Sequence, residues 1–397
     1  MEQVLIIILL VICSLYLLLI LYYWRSWLAI TGFKTEKLNP KTRISVIIPA
    51  RNEEMNIADC LDSVCNQSYP KDLYEVLVMD DHSTDNTASI INNYAAQNVK
   101  LISLKDLVAA TGINSYKKKA IEIAIQRSTG ELIVTTDADC IVPGNWLQTI
   151  AAFYEQYNPV FIAAPVSILP SPAGEGSGVR WFIELFQALD FMTLQGITGA
   201  SVYKKIHSMC NGANLAYTKK AFEEVGGFTG IDAIASGDDM LLMHKIYKRY
   251  PDKVMFLRSK EVIVQTQPVN SVRAFFDQRI RWASKAGRYD DKRIFAVLLL
   301  VYLFNCLLVI LPVAGLLNNV QYSMFNIQYS IFELWLFLII SKTIIELFFL
   351  FPVARFFNKQ KLLWLFPVMQ PFHILYTIIA GWLGKFGRYK WKGRNVK

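Results

Sequence analysis

Residues 131–140 read Glu-Leu-Ile-Val-Thr-Thr-Asp-Ala-Asp-Cys: a short apolar, β-branched run that stops abruptly on two carboxylates one residue apart. A buried parallel strand has this composition, and α/β sheets place their ligands at the carboxyl edge of such strands. On an extended chain Asp137 and Asp139 project to the same side, so both can meet one hard cation. Ions such as Mg²⁺ are held by one or two carboxylates together with the phosphates of a substrate. The plainer reading of this stretch alone is a turn built on Asp-Ala-Asp.

Two further runs have the same character. Residues 44–49 (Ile-Ser-Val-Ile-Ile-Pro) lead into Ala50-Arg51-Asn52-Glu53-Glu54 and a helix, and residues 74–79 (Tyr-Glu-Val-Leu-Val-Met) end in Asp80-Asp81-His82-Ser83-Thr84-Asp85. Helices over about 86–96 and 117–128 and a short strand at 99–104 complete an alternation that predicts a mostly parallel sheet. Acids at the ends of two strands and Pro-Ala-Arg-Asn-Glu at the end of a third favour a nucleotide site. Asn211-Gly212-Ala213-Asn214 opens a strand and helix that close at Gly226-Gly227-Phe228. Ser236-Gly237-Asp238-Asp239 stands at a predicted helix N-terminus, where glycine permits close approach and the dipole favours acids. Helix capping explains one of these two acids but not both.

The rest of the chain belongs to a membrane. It is 53% hydrophobic with a mean hydropathy of +0.30, too apolar for an ordinary soluble protein. Residues 4–24 form an uncharged apolar run of spanning length. The run is too long for the apolar region of a secretory signal, and no small-residue cleavage site follows. Arg25, Lys34, Lys37, Lys41 and Arg43 come next, which places the N-terminus outside and the chain from about 25 onward in the cytoplasm. Residues 178–195 carry an aromatic stripe at helical spacing, suited to a membrane interface or to a core. Apolar segments follow at about 294–317, 331–353 and 362–384, and the loop 318–330, without Lys or Arg, is expected outside. Arg355, Lys359 and Lys361 would then be inside. Pro367 and Pro371 interrupt the last segment, so it is expected to enter and leave on one side, keeping the tail cytoplasmic.

The net charge of +9 is concentrated in that tail, in Lys385, Arg388, Lys390, Lys392, Arg394 and Lys397. Such a cluster beside an apolar segment reads as a lipid-facing patch rather than a nucleic-acid surface. Six scattered cysteines contain no Cys-x-x-Cys pair, which argues against a zinc site or a disulfide framework and fits a reducing compartment. Glu333, Lys342 and Glu346 fall inside apolar segments, as they would in a transporter. A transporter, however, has no need of Asp-x-Asp or Gly-Asp-Asp in a soluble domain. Gln278-Arg279-Ile280-Arg281-Trp282 lies on a basic amphipathic stretch that suits an interfacial anchor, or a diphosphate and a stacked sugar ring.

Taken in order, Pro49-Ala50-Arg51-Asn52-Glu53, Asp80-Asp81, Asp137-Ala138-Asp139, Asn211-Gly212-Ala213-Asn214, Gly226-Gly227-Phe228, Asp238-Asp239 and Gln278-x-x-Arg281-Trp282 resemble the membrane-bound family 2 glycosyltransferases. That group includes cellulose, chitin and hyaluronan synthases and ceramide glucosyltransferases. The resemblance covers about 42–282. It implies an α/β GT-A fold with a mostly parallel sheet, N- and C-terminal transmembrane helices, and an inverting transfer from a nucleotide-diphosphate sugar, of which UDP is the expected nucleotide. It also implies roles. Asp81 binds base or ribose, with Pro49, Arg51 and Glu53 lining the nucleotide. Lys117 touches phosphate, and Asp137 and Asp139 hold the diphosphate and Mg²⁺ or Mn²⁺. Asp239 matches the final acid of the family's Thr-Glu-Asp or Gly-Glu-Asp, while Asp238 departs from its Glu.

Expelling a nucleoside diphosphate needs charge stabilisation, which a divalent ion on Asp137 and Asp139 with Lys117 and Arg281 supplies. One carboxylate must take the acceptor's proton. Asp239 is the expected base, with Asp238 as the second candidate, and Trp282 with Gln278 the expected acceptor platform. The acceptor is expected to be a lipid or lipid-linked hydroxyl, the alternative being a processive polysaccharide synthase. The organisation expected is a transmembrane helix at 1–25, a cytoplasmic catalytic domain at 42–265, an interfacial segment at 266–293, a membrane region at 294–384 and a basic tail at 385–397. Together these describe a multi-pass protein of the cell (inner) membrane.

Overall fold

Strands β1 (Ile44–Ala50) and β2 (Tyr74–Asp80) are buried along almost their whole length, as inner strands of a parallel sheet must be. They belong to a computed structural model that describes residues 2–35, 40–107, 115–169, 178–206, 209–234, 237–285, 291–317, 321–324, 327–387, 389–391 and 394–396. Lys37, Ser236, part of the loop 318–330 and Arg388, Lys392 and Lys397 of the tail lie outside the described residues. The chain divides into two units: Ile30–Pro170 with Ile197–Pro268, and Met1–Ala29 with Ser171–Gly196 and Val269–Lys397.

In the first unit β1 pairs in parallel with β2 and with β4 (Leu132–Thr135), and β2 pairs in parallel with β3 (Val99–Ser103). Strands β6 (Phe161–Ala163), β8 (Leu215–Thr218) and β9 (Val254–Phe256) complete a seven-stranded sheet of order β3-β2-β1-β4-β8-β6-β9, in which β8 is antiparallel to both β4 and β6. Helices α2 (Ile57–Cys65), α3 (Thr87–Asn92), α4 (Tyr116–Arg127), α5 (Trp146–Tyr157), α7 (Lys219–Glu224) and α8 (Met240–Arg249) connect these strands. A small second sheet joins β5 (Cys140–Ile141), β10 (Val264–Thr266) and β7 (Val166–Ile168). The chain steps outward from β1 to β2 and β3, then crosses back to β4 on the other side of β1. The order therefore reverses at β1, and the crevice beyond the carboxyl ends of β1 and β4 is where such sheets hold ligands.

The amino ends of the same strands are tied by one buried acid. Glu75 accepts from Ser45 Oγ (2.8 Å), Thr129 N–H (2.6 Å), Thr129 Oγ1 (2.7 Å) and Lys100 Nζ (2.9 Å). Gly130 completes the junction, because a Cβ there would lie 2.5 Å from Ser45 N.

The second unit contains α1 (Glu2–Ala29), residues 178–196 of α6 (Gly178–Tyr203), α9 (Val272–Ala283), α10 (Lys292–Leu317), α11 (Ile331–Phe357) and α12 (Phe366–Phe386). Among the described residues four stretches are long and apolar enough to cross a membrane: Ile6–Ala29, Lys292–Leu316, Ile331–Phe357 and Gln360–Phe386. Two hairpins, β11 (Gln321–Met324) with β12 (Ile327–Ser330) and β13 (Tyr389–Trp391) with β14 (Arg394–Val396), stand where a loop and a tail were expected.

Several expectations are corrected here. α12 runs unbroken through Pro371, with Pro367 in its first turn, where a missing N–H costs nothing. It therefore lacks the expected break at these prolines. Its 21 residues extend about 32 Å, enough for a bilayer core of about 30 Å. Most of the aromatic stripe of α6 is buried, with Trp181 at its start exposed: Phe186 packs edge-on against Phe275 of α9 and against Phe372 and Tyr376 of α12. Residues 178–196 group with these helices in the second unit. Of the charges in apolar segments, Glu333 closes a capping box with Ser330 at the start of α11. Lys342 pairs with Glu346 at 2.6 Å, and Glu346 also accepts from Tyr16 and Gln370. These two charges neutralise each other inside the bundle.

Candidate active site

The site is assembled from strand ends. β1 delivers Pro49, Arg51 and Glu53, and β2 delivers Asp81 and His82. The Arg51 guanidinium lies 3.5 Å from Asp81 Oδ1 and donates to the Asp81 carbonyl at 3.3 Å. The Glu53 N–H donates to Thr87 Oγ1 (2.8 Å), and its carboxylate accepts from Asn56 Nδ2 (3.0 Å). Asn52 turns the chain there in a left-handed conformation, φ 52°, and its side chain holds the Thr84 N–H at 2.8 Å. Four of the residues expected to line a nucleotide, Pro49, Arg51, Glu53 and Asp81, thus come together at one edge. His82, beside Tyr116 at the start of α4, joins them without having been singled out.

Tyr116 is followed by Lys117, which reaches into the acidic group. Its ammonium lies 2.7 Å from Asp137 Oδ1 and 3.2 Å from Asp238 Oδ2. Burial alone would make this lysine easier to deprotonate, but the Asp137 and Asp238 carboxylates outweigh it and push its pKa up. Gly212 forms the floor: a Cβ on it would meet Asp238 Oδ2 at 3.4 Å, Lys117 Nζ at 3.5 Å and Asp239 Cβ at 3.7 Å. Its carbonyl is held by Thr135 Oγ1 at 2.9 Å. The sequence signal for Gly212 was its place in Asn-Gly-Ala-Asn. The last residue of that motif, Asn214, is fully buried and bonds Trp146, Pro165 and Val262.

The acid pairs are arranged differently from a simple strand extension. β4 ends at Thr135, and the Cys140 N–H donates back to the Asp137 carbonyl at 3.1 Å. Asp137 and Asp139 therefore sit on a turn, and the same-side argument from strand pleating does not apply. The thiols beside them, Cys60 and Cys140, are buried. Burial, with Asp139 and Asp137 adding to it, pushes both thiols up. Among the described residues no group of three or more His, Cys, Asp or Glu side chains is disposed to hold a metal. Two carboxylates suit a hard cation that takes its remaining oxygens from a substrate.

Gly237 adopts φ 84°, a conformation glycine takes freely, and leads into Asp238 and Asp239. Asp239 caps α8, its Oδ1 accepting the Met240 N–H at 2.7 Å, whereas Asp238 turns to Lys117. Capping thus accounts for one acid of the pair.

Gln278, Arg281 and Trp282 lie on α9 of the second unit. Between them Arg279 is buried, its guanidinium 4.3 Å from the Trp282 ring centre and bonded to Asp190 (2.6 Å) and Gln278 (3.2 Å). Asp190 in turn accepts from Tyr376 at 2.5 Å.

Seven strands with this reversal and an acid-bearing turn after β4 define a fold of the GT-A class. Residues 45–226 match the family model of glycosyl transferase family 2. The solved mannosyltransferase PcManGT of Pyrobaculum calidifontis, in complex with GDP-Man and Mn²⁺, shares the fold over 97% of this chain and 99% of its own, with a TM-score of 0.54 at 19% identity. The beta-monoglucosyldiacylglycerol synthase of Synechocystis sp. is 26% identical over 260 residues, 64% of this chain and 50% of that protein. The poly(ribitol-phosphate) beta-glucosyltransferase of Bacillus spizizenii is 37% identical over 97 residues, 24% of this chain and 15% of that protein. The chain spans half or less of the length of these two curated relatives.

Proposed function

We propose that this chain is an inverting glycosyltransferase that moves a sugar from a nucleoside-diphosphate donor, UDP-linked by preference, to a lipid or lipid-linked hydroxyl at a membrane. The observation that carries the reading is the Lys117–Asp137–Asp238 cluster at the carboxyl edge of the sheet, with Arg51 and Asp81 gathered at the same edge. The lipid acceptor is supported by the four helices of spanning length and by the lipid-glucosylating Synechocystis relative.

In this reading Arg51, Glu53 and Asp81 bind the nucleoside, and Lys117 turns from Asp137 toward the diphosphate when the donor arrives. Asp137 and Asp139 would hold Mg²⁺ or Mn²⁺, which when bound neutralises the diphosphate leaving group. Arg281 adds charge to that group. Asp239 takes the acceptor proton, because its carboxylate is oriented by the Met240 N–H while Asp238 is engaged by Lys117. Gln278 and Trp282 bind the acceptor. The catalytic unit is cytoplasmic and the protein multi-pass.

A screen of UDP-, GDP- and dTDP-sugars for nucleotide release in native membranes, followed by mass spectrometry of the lipid extract, tests the reading. One nucleotide sugar should be consumed and a glycosylated lipid should appear; release with none would point to a glycan acceptor. No release from any donor would overturn the assignment. A cysteine placed at Ser323 should label with an impermeant reagent from outside and one at Asn92 should not. The opposite pattern would put the site away from cytoplasmic donors.

A further inference from the structure

His82 follows the last residues of β2 in a left-handed backbone conformation, φ 56°, which side chains with a Cβ rarely adopt. Its ring is fixed on two sides. Nδ1 lies 3.1 Å from Asp81 Oδ1, and the Tyr116 ring meets it edge-on at 5.8 Å with the planes 86° apart. Nε2 is buried and, among the described residues, has no hydrogen-bond partner. A strained backbone and an unpaired buried nitrogen are each unfavourable, and they coincide here between Asp81 and the residue that precedes Lys117. Strain and unsatisfied polar atoms of this kind concentrate where a ligand completes the structure.

The tautomer follows from the neighbour. The Asp81 carboxylate can only accept, so in the neutral ring the proton sits on Nδ1 and Nε2 presents a lone pair. We propose that His82 is a nucleoside-binding residue whose Nε2 accepts a hydrogen bond from an N–H or O–H group of the donor's nucleoside. The proposal rests on the nucleoside-diphosphate reading above and sharpens it. The nucleoside must offer a hydrogen there, either a ring N–H, which uracil and guanine have and cytosine lacks, or a ribose hydroxyl.

The test uses the full-length protein in detergent with Mn²⁺. UDP and GDP are titrated by calorimetry into the wild type, His82→Gly and His82→Asn, with a melting curve for each. Both replacements accept the left-handed backbone, so melting should stay within a few degrees of the wild type. The dissociation constant of the tighter-binding nucleotide should rise about tenfold, the loss of one buried hydrogen bond. The wild type is also titrated with the ring-N-methylated and 2′-deoxy forms of that nucleotide, and with the 3′-deoxy form. One of these should show the same loss, which names the base or the ribose as the source, and in the variants that analogue should bind no worse than its parent. Unchanged affinity in both variants, or three analogues that bind the wild type as tightly as the parent, would overturn the proposal. A wild type that binds no nucleoside diphosphate would overturn the donor class and this inference with it.

Discussion

Replacing Glu75 by glutamine tests whether one buried carboxylate holds together the amino ends of the strands whose other ends carry the site. Glu75 is 5% exposed. Burial alone would raise its pKa, but the Thr129 N–H, the Lys100 ammonium and the Thr129 and Ser45 hydroxyls hold it down to about 2, against an ordinary 4.5. At 1.36 kcal/mol per pH unit, that difference amounts to roughly 3 kcal/mol of stability. The folded value lies below the unfolded one. The contribution is therefore present in full above the unfolded pKa and is lost as pH falls through about 2. Glutamine keeps the shape, but its amide nitrogen must face a donor that the carboxylate accepted from. The variant should melt about 6–12 °C below the wild type at pH 7, the equivalent of roughly 3 kcal/mol in a unit of this size. The deficit should stay constant between about pH 5 and 8 and shrink toward acid, where the wild-type carboxylate protonates too. Tryptophan-fluorescence melting in detergent at stepped pH measures it. A deficit under about 2 °C at pH 7, or one that grows on acidification, would refute the reasoning.

Asp239→Asn should leave donor affinity nearly intact while transfer falls by roughly 10²–10⁴, whereas Asp137→Asn should weaken donor binding itself. Calorimetry with Mn²⁺ separates them, and equal loss of binding would assign Asp239 to the metal site and move the base to Asp238. EDTA should abolish turnover, with Mg²⁺ or Mn²⁺ restoring it in the wild type but not in Asp139→Asn; full activity in chelator would remove the metal from the scheme. Trp282→Ala should raise the acceptor KM or divert the sugar to water with donor affinity unchanged, and an unchanged transfer-to-hydrolysis ratio at every acceptor concentration would exclude a platform role. Asp190→Ala strands the Arg279 guanidinium, bonded at 2.6 Å in a pair only 3% and 2% exposed, and should cost roughly 3–5 kcal/mol in melting experiments. Wild-type melting would show that the pair contributes nothing.

Much of the catalytic unit was legible in the chain because its signals are local. The apolar runs at 44–49, 74–79 and 131–136 are strands because they are short, β-branched and covered on both faces, and each ends where polar residues begin. The acids at 80–81, 137–139 and 238–239 could be read as an edge because an alternating βα chain has only one carboxyl edge to offer. The capping role of one acid in Asp238–Asp239 was equally visible, since a helix N-terminus needs an acceptor wherever it falls.

What was not legible depends on partners distant in sequence. Lys117 bridges Asp137 and Asp238 only because the sheet order sets α4, β4 and the start of α8 around one point. Gly212 matters through three side chains from two other segments, and the unpaired nitrogen of His82 exists only in the folded site. The stripe on α6 had the same composition whether it faced lipid or protein, and for Phe186 the contacts with α9 and α12 decided between them. Local sequence sets backbone preference and which face is apolar. Which faces meet is decided by the packing of the whole chain, because the free energy of closing a core is shared among residues that no short window contains.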